Sequence, residues 1–180
     1  MRSFPLLLAA SLLACSILHA QKSESFRFGM KGGIDFANVN GEDPSGNKTG
    51  FVGTTLYGGF FGEQRLAGSS WLKSELFFSW VDEWHFLEAT LQVRQELNGH
   101  FSAFLGPKLD YALDKGNPDK YCEHKTWGLS LDTGIQYNIF GRFFAEGRYT
   151  FGISKQYYDS FLDINEGQKN HLRFGIGLRF

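Results

Sequence analysis

The chain has 180 residues, with 18 Lys and Arg, 19 Asp and Glu and a formal net charge of −1 at pH 7. This length is typical of a single domain. The near-neutral charge gives no reason to expect a nucleic-acid partner. The chain also holds 19 Phe, 7 Tyr, 4 Trp and 22 Gly but only 4 Pro. Aromatic residues favour strands and glycine favours tight turns or crowded barrel walls, so an all-β fold is expected.

The first twenty residues have the pattern of a secretory signal peptide. Arg2 supplies the positive start, and the apolar stretch 6–18 is too short and too close to the terminus for a typical spanning helix. Cleavage after the small residue Ala20 is therefore expected. The alternative is residues 12–15, Leu-Leu-Ala-Cys, which are similar to a bacterial lipobox and predict lipidation of Cys15. Both interpretations predict export of the chain.

After the signal peptide, apolar and polar residues alternate with a period of two, which is typical of strands with one apolar face. The last ten residues, HLRFGIGLRF, show this alternation clearly. Together with weaker stretches, it predicts eight strands near residues 26–36, 51–61, 71–80, 85–93, 101–113, 127–139, 143–153 and 171–180. Their lengths approach the roughly 9–11 residues of a tilted membrane-crossing strand. An even number of strands suits a closed antiparallel barrel.

The connections between the predicted strands form two sets. Those after odd-numbered strands lie near residues 38–49, 81–84, 114–125 and 154–168, and three of them are long and polar. Those after even-numbered strands lie near 62–69, 96–99 and 140–141 and are shorter. Long external loops that alternate with short periplasmic turns are typical of bacterial outer-membrane barrels.

Two eight-stranded architectures share the alternation and invert its meaning. A secreted lipocalin-like barrel places apolar residues inside, whereas a membrane barrel turns them towards lipid and keeps polar residues in the lumen. The strand charges carry both signs in near balance and alternate with glycine, which fits a narrow lumen filled by paired side chains. The predicted luminal charge network consists of Lys31, Asp35, Lys73, Glu75, Glu88, Arg94, Lys108, Asp110, Asp132, Glu146, Arg148 and Arg173.

Aromatic residues at the strand ends favour the membrane barrel. Interfacial aromatic bands are expected at Trp80, Trp84 and Trp127 on the external side and at Phe140, Phe143 and Phe180 on the periplasmic side. We therefore predict an all-β, eight-stranded antiparallel up-and-down transmembrane β-barrel with both termini in the periplasm. Residues 1–20 would be the signal peptide and residues 21–180 the barrel domain in the outer membrane of a Gram-negative bacterium.

Four short motifs resemble the PorT-like outer-membrane β-barrel family. Residues 29–36, GMKGGIDF, resemble its opening "G-x-K-x-G" strand, and 86–91, FLEATL, resemble "Y-L-E-x-P-L" with Thr90 in place of Pro. Residues 106–111, GPKLDY, match a "G-P" strand, and 146–152, EGRYTFG, resemble "E-A-R-Y-S-Y-G". The resemblance implies an eight-stranded barrel of the Gram-negative envelope, and only the family name implies a secretion component. The terminal Phe180 resembles the aromatic residue that the barrel assembly machinery recognises.

The sequence offers few residues for chemistry. His100 and Ser102 are expected on one strand face, as in a Ser–His pair, and are the candidate site of a lipid A-modifying hydrolase. They follow a turn that is expected in the periplasm, whereas lipid A lies in the outer leaflet, so no enzyme activity is expected. The acidic first loop, 40–47, lacks the spacing of a calcium loop, and Cys122 with His124 is too little for a metal site. No cofactor or metal is predicted.

The long luminal side chains also argue against a conducting channel, since eight strands leave an interior only just wide enough for side chains. The expected role is structural or interactive, with outer-membrane lipids and an unspecified envelope protein as partners. A secretion-system accessory barrel, a lipid A-modifying hydrolase and a narrow channel remain as alternatives, in that order.

Overall fold

The computed structural model describes residues 26–42, 48–81, 84–113, 122–124, 127–159 and 164–180. The predicted signal peptide, residues 1–20, lies outside these residues. The described residues form ten strands, which are β1 (Phe26–Glu42), β2 (Lys48–Ala67), β3 (Ser70–Val81), β4 (Trp84–Glu96), β5 (Phe101–Ala112), β6 (Cys122–His124), β7 (Trp127–Phe140), β8 (Phe143–Gly152), β9 (Lys155–Asp159) and β10 (Ile164–Arg179). No helix in the described segments is long and apolar enough to cross a membrane.

Eight of the strands close into a barrel, which confirms the predicted fold class. Neighbouring strands follow the order β1-β2-β3-β4-β5-β7-β8-β10, and β10 pairs with β1 to complete the wall. All of these pairings are antiparallel. Closure leaves the barrel wall without unpaired strand edges, which a bilayer requires because lipid offers no hydrogen-bonding partners.

The last residue completes the closure between the first and last strands. The Phe180 amide donates a hydrogen bond of 2.8 Å to the Phe28 carbonyl, and the two rings lie 5.2 Å apart. Three short connections lie at this same end of the barrel, between β2 and β3, β4 and β5, and β7 and β8. We call it the terminal end, and we call the opposite end, with the longer connections, the loop end.

The turns at the terminal end are tighter than the sequence pattern predicts. The expected connection 62–69 is mostly strand, because β2 continues to Ala67 and only Gly68 and Ser69 form the turn. Gly68 and, in the β7–β8 turn, Gly141 have φ angles of 53° and 54°, where glycine avoids the penalty of a Cβ atom. In the β4–β5 turn, the Asn98 side chain accepts hydrogen bonds from the amides of His100 and Phe101.

The loop end holds more strand than the sequence predicts. Strand β6 lies within the expected loop 114–125, and β9 and the start of β10 lie within the expected loop 154–168. These segments extend the wall because β9 pairs with β10 and β6 pairs with β9. The sequence misses them because β6 and β9 have only three and five residues, too few to show an alternation.

The wall has two distinct faces throughout the barrel. Large apolar side chains at alternate positions are exposed on the outside, as at Phe174 and Ile176 in β10. Polar and charged side chains between them are buried in the lumen, as at Arg173. This arrangement is that of a membrane barrel rather than a lipocalin-like barrel, because a water-soluble barrel would bury the apolar face.

Candidate functional site

The lumen holds equal numbers of buried acidic and basic residues. Seven of each kind are buried among the described residues, which makes the luminal charge neutral when His171 is neutral. All twelve charged residues expected in the lumen lie there, together with Glu63 and Arg179. They are Lys31, Asp35, Glu63, Lys73, Glu75, Glu88, Arg94, Lys108, Asp110, Asp132, Glu146, Arg148, Arg173 and Arg179.

The middle of the lumen contains a cluster with three cations and three carboxylates. This central cluster consists of Lys31, Lys73, Glu75, Asp132, Glu146 and Arg148. The Lys31 Nζ atom lies 2.6 Å from Glu75 and 2.5 Å from Glu146. Lys73 Nζ lies 2.9 Å from Glu75 and 3.4 Å from Glu146. Each lysine therefore bridges the same two carboxylates, which come from opposite parts of the wall, β3 and β8.

Arg148 connects the remaining carboxylate to the central cluster. Its guanidinium lies 2.8 Å from both Glu75 and Asp132 and 3.0 Å from Glu146. Neutral side chains complete the coordination, since the Gln92 amide and the Thr150 hydroxyl donate hydrogen bonds of 2.6 and 2.7 Å to Asp132. Buried charges are tolerated where partners and hydrogen bonds surround them, and the central cluster meets this condition.

A second cluster fills the lumen towards the loop end. This loop-end cluster consists of Asp35, Glu88, Lys108, Asp110, His171 and Arg173. Arg173 donates to both Asp35, at 2.8 Å, and Glu88, at 2.6 Å. Lys108 lies 3.0 Å from Glu88 and 3.1 Å from Asp110. The His171 Nδ1 atom lies 2.8 Å from Asp35, so this histidine belongs to the network although the sequence pattern placed it only on the luminal face.

A third cluster lies near the terminal end. This terminal cluster consists of Glu63, Arg94, Glu96 and Arg179. Arg94 lies 3.1 Å from both Glu63 and Glu96, and Arg179 lies 3.3 Å from Glu63. Sequence reasoning missed Glu63 because it assigned residues 62–69 to a loop. The signal that could have identified it is its spacing, since Glu63 follows the buried Tyr57 and Phe61 at an even number of positions and so shares their inward face.

Aromatic side chains fill the space between the charged clusters. Five inward rings each lie against an inward-facing glycine of another strand, and a Cβ atom on that glycine would collide with the ring. The pairs are Phe61 with Gly29, Phe77 with Gly59, Phe104 with Gly134, Tyr57 with Gly175 and Phe144 with Gly177. Glycine in a strand often marks such a close approach. The pairs explain why glycine shares the luminal face with long charged residues.

Most of the predicted interfacial aromatic residues are exposed on the outer wall. Trp80 and Trp127 lie at the loop end, and Phe140, Phe143 and Phe180 lie at the terminal end. Trp84 begins β4, but its side chain lies outside the described part. Trp71, the remaining tryptophan after Trp80, Trp84 and Trp127, is luminal. The two exposed bands are separated along the barrel as interfacial girdles are in outer-membrane barrels.

The candidate Ser–His pair does not assemble, contrary to the expectation that the two side chains share a face. Ser102 is fully buried, and its hydroxyl accepts a hydrogen bond of 2.8 Å from Arg94. His100 is exposed in the turn, and its ring stacks on the outward-facing Tyr137. The turn at 97–100 breaks the strand alternation on which the prediction rested.

No group of three or more His, Cys, Asp or Glu side chains is placed to hold a metal ion among the residues that the structure describes. Residues 43–47 of the acidic first loop, the side chains of its residues 40–42 and those of Cys122 and His124 lie outside that part. Each described luminal carboxylate instead has a cation or a polar hydrogen within contact distance. The lumen is therefore a set of ion pairs in a closed wall.

A closed antiparallel barrel with an apolar outer wall and a charged lumen defines an integral outer-membrane protein. A family model described as "Outer membrane protein beta-barrel domain" matches residues 7–180. The chain belongs to this family of outer-membrane β-barrel proteins, and it is located in the outer membrane of a Gram-negative bacterium. A comparison with functionally characterised protein sequences gives no match.

Several solved structures are similar to this fold. OprG from Pseudomonas aeruginosa shares 14% identity at a TM-score of 0.52, over 89% of this chain and 98% of that chain. Ail of Yersinia pestis, in complex with the heparin analogue sucrose octasulfate, shares 12% identity at a TM-score of 0.52, over 87% and 99%. Neisserial surface protein A shares 14% identity at a TM-score of 0.50, over 85% and 97%. At such identities the likeness shows the fold alone.

Proposed function

We propose that this outer-membrane protein is a closed, side-chain-filled barrel with a structural or interaction role in the cell envelope. The proposal rests on one observation: three ion-pair clusters follow one another along the lumen from the loop end to the terminal end. The central cluster alone joins β1, β3, β7 and β8 through buried contacts of 2.5–3.4 Å. Cross-links between strands on opposite sides of the lumen suit a scaffold.

The same clusters argue against conduction. A permeating ion has to displace contacts such as Lys31–Glu146 and Arg148–Asp132, and it meets no surplus charge that attracts it to the middle of the lumen. Separating a buried pair leaves uncompensated charges and costs about 3–5 kcal/mol. Aromatic rings close the gaps beside the pairs, as Phe77 and Phe104 do where Arg148 lies over both rings.

We further propose that the protein is PorT-like, that residues 1–20 direct its export, and that the barrel assembly machinery recognises the last strand. The four sequence motifs support the first point and the apolar stretch 6–18 supports the second. The third is supported by the position of Phe180, which ends the closing strand with its ring on the outer wall. We propose no catalytic role, because His100 and Ser102 do not share a face.

Single-channel recording in planar bilayers tests the closed lumen. The wild-type barrel should give no steady unitary conductance, since a permeating ion would have to break buried ion pairs in each cluster. A luminal double variant, Phe77→Ala with Phe104→Ala, removes two rings and should raise leakage, whereas the outward-facing Leu105→Ala should behave like the wild type. Gel mobility of unboiled samples verifies that each barrel is folded. A steady unitary conductance of the folded wild type would contradict the proposal.

A further inference from the structure

The terminal end of the lumen carries two arginines that belong to none of the three ion-pair clusters. Arg27 and Arg65 occupy inward-facing positions at the ends of β1 and β2, and both side chains are exposed at the opening. Their guanidinium groups lie 4.3 and 5.7 Å from the centre of the Trp71 ring. Arg94 lies 5.3 Å from the same ring from within the lumen. We call Arg27, Arg65 and Trp71 the terminal mouth.

The terminal end of the lumen, around the terminal mouth, has more positive than negative charge. The four arginines there, Arg27, Arg65, Arg94 and Arg179, face the carboxylates of Glu63 and Glu96. Both carboxylates are used by Arg94 and Arg179. Within the described segments, neither Arg27 nor Arg65 has an ion pair, and the terminal carboxylate of Phe180 forms none with them. Among the described residues, Arg65 donates a hydrogen bond to the Gly68 carbonyl, at 2.9 Å, and to no carboxylate.

Buried hydrogen-bond donors at this end also lack acceptors. Trp71 is 2% exposed, and its Nε1 atom has no hydrogen-bonding partner in the described part of the protein. The Nη2 atom of Arg179 is buried without an acceptor as well. Unpaired buried donors are uncommon in proteins because each one loses its hydrogen bond to water. One buried acceptor at this end, Glu63 Oε1, is also without a hydrogen bond in the described part. The four arginines nevertheless face only two carboxylates, so an anionic group would complement the opening.

We propose that the terminal mouth binds an acidic peptide segment of a periplasmic protein. Short turns and chain termini lie on the periplasmic side in outer-membrane barrels, so the mouth opens towards the periplasm. Guanidinium groups match carboxylates in a planar fork geometry, and the exposed Arg27 and Arg65 lie against the buried Trp71 ring, which supports them at the opening. This inference rests on the interaction role proposed above and names the chemistry of the partner.

The position of the arginines favours a peptide over a lipid headgroup. Arg27, Arg65 and Trp71 all occupy luminal positions of their strands, whereas lipids contact the outer wall, where Phe28 and Phe180 lie at the same end. An extended segment can reach the opening along the barrel axis from the aqueous side. A phospholipid would have to place its headgroup over the rim.

Binding of a labelled acidic peptide to the folded full-length barrel tests the proposal. The probe is a ten-residue Glu- and Asp-rich peptide with a fluorophore, and the control peptide carries Gln and Asn instead. In nanodiscs of zwitterionic lipid, the acidic peptide should bind and its affinity should fall as salt is raised. Arg27→Gln with Arg65→Gln should weaken binding at least tenfold, since two charge-assisted contacts are lost.

A matched variant separates the mouth from general surface charge. Arg142→Gln removes an exposed arginine in the β7–β8 turn at the same end, and it should change the affinity less than twofold. Equal losses in the two variants, or no binding of the acidic peptide by the wild type, would overturn the site. Full displacement by millimolar inorganic phosphate would also overturn it, as would displacement by anionic lipid in the nanodisc.

The peptide-binding experiment and the conductance experiment can fail separately. A barrel that gives no conductance and binds no acidic peptide would overturn the terminal mouth and leave the closed lumen standing. A barrel that conducts ions and still binds the peptide through Arg27 and Arg65 would do the reverse. Gel mobility of unboiled samples shows that the variants are folded, which is expected because both arginines are exposed.

Discussion

Phe143 and Phe144 are adjacent in β8 and have the same side chain, yet they belong to different regions of the molecule. Phe143 is 39% exposed on the outer wall, whereas Phe144 is fully buried in the lumen against Gly177. The outer wall needs only apolar surface, because lipid adapts to its shape. The lumen needs side chains that fit one another, because its charged and aromatic groups are buried against each other inside a closed wall. A residue's position in the alternation, rather than its type, decides whether it contacts lipid or packs in the lumen.

This difference predicts that substitutions in the lumen and on the outer wall have unequal consequences, and the largest concerns buried charge. Arg148→Leu leaves Glu75, Asp132 and Glu146 with only two lysines, so the free energy of unfolding should fall by about 3–5 kcal/mol. Tyr149→Leu, at the next, outward position, should lower it by about 1 kcal/mol, the worth of an aromatic contact. Reversible urea unfolding in lipid vesicles measures both values. Similar losses would show that the cluster does not stabilise the barrel.

A charge placed on the outer wall should have the next largest effect. Phe174→Arg puts a guanidinium at an outward position of β10, and near the bilayer midplane such a change costs about 2–4 kcal/mol. Leu97→Arg, in the exposed β4–β5 turn, should cost about 0–1 kcal/mol because that position is interfacial. The same unfolding titration gives the comparison. A stable Phe174→Arg barrel would mean that this face does not contact lipid.

The smallest effect concerns the glycines that accommodate luminal rings. Gly177→Ala forces the Phe144 ring to shift in a crowded lumen, which should cost about 1–3 kcal/mol of stability. Gly147→Ala is the matched control, since its Cβ atom would point outward and meet the Phe174 ring at an ordinary 3.6 Å. That variant should stay within about 0.5 kcal/mol of the wild type. Equal stability of the two variants would contradict the packing of the Phe144 ring against Gly177.

The fold could be predicted from the sequence largely because the alternation is local. The eight barrel strands follow from it, and so does the direction in which Arg173 or Phe174 faces. The inward-facing aromatic residues are harder to predict, because the pattern of apolar residues places aromatic side chains on the lipid face. In β3, Trp71 and Phe77 share the alternation of Lys73 and Glu75, so applying the pattern strictly would have identified both.

The remaining features depend on contacts distant in sequence. The pairing of Lys31 with Glu146 joins residues 115 positions apart, and no spacing in the chain indicates which carboxylate meets which cation. The strands β6 and β9 form by extending a wall that β10 already provides. The terminal mouth likewise arises because β1, β2 and β3 bring Arg27, Arg65 and Trp71 together at one opening.

Two tryptophans of β3 offer the most direct test of the central claim that alternation assigns residues to lumen or lipid. Trp71 is 2% exposed in the lumen and Trp80 is 50% exposed on the outer wall. Two variants that each retain only one of these tryptophans, with the others changed to Phe, can be folded into vesicles with brominated acyl chains. Emission of the Trp80 variant should be strongly quenched, and that of the Trp71 variant should persist. Equal quenching of both would contradict the account.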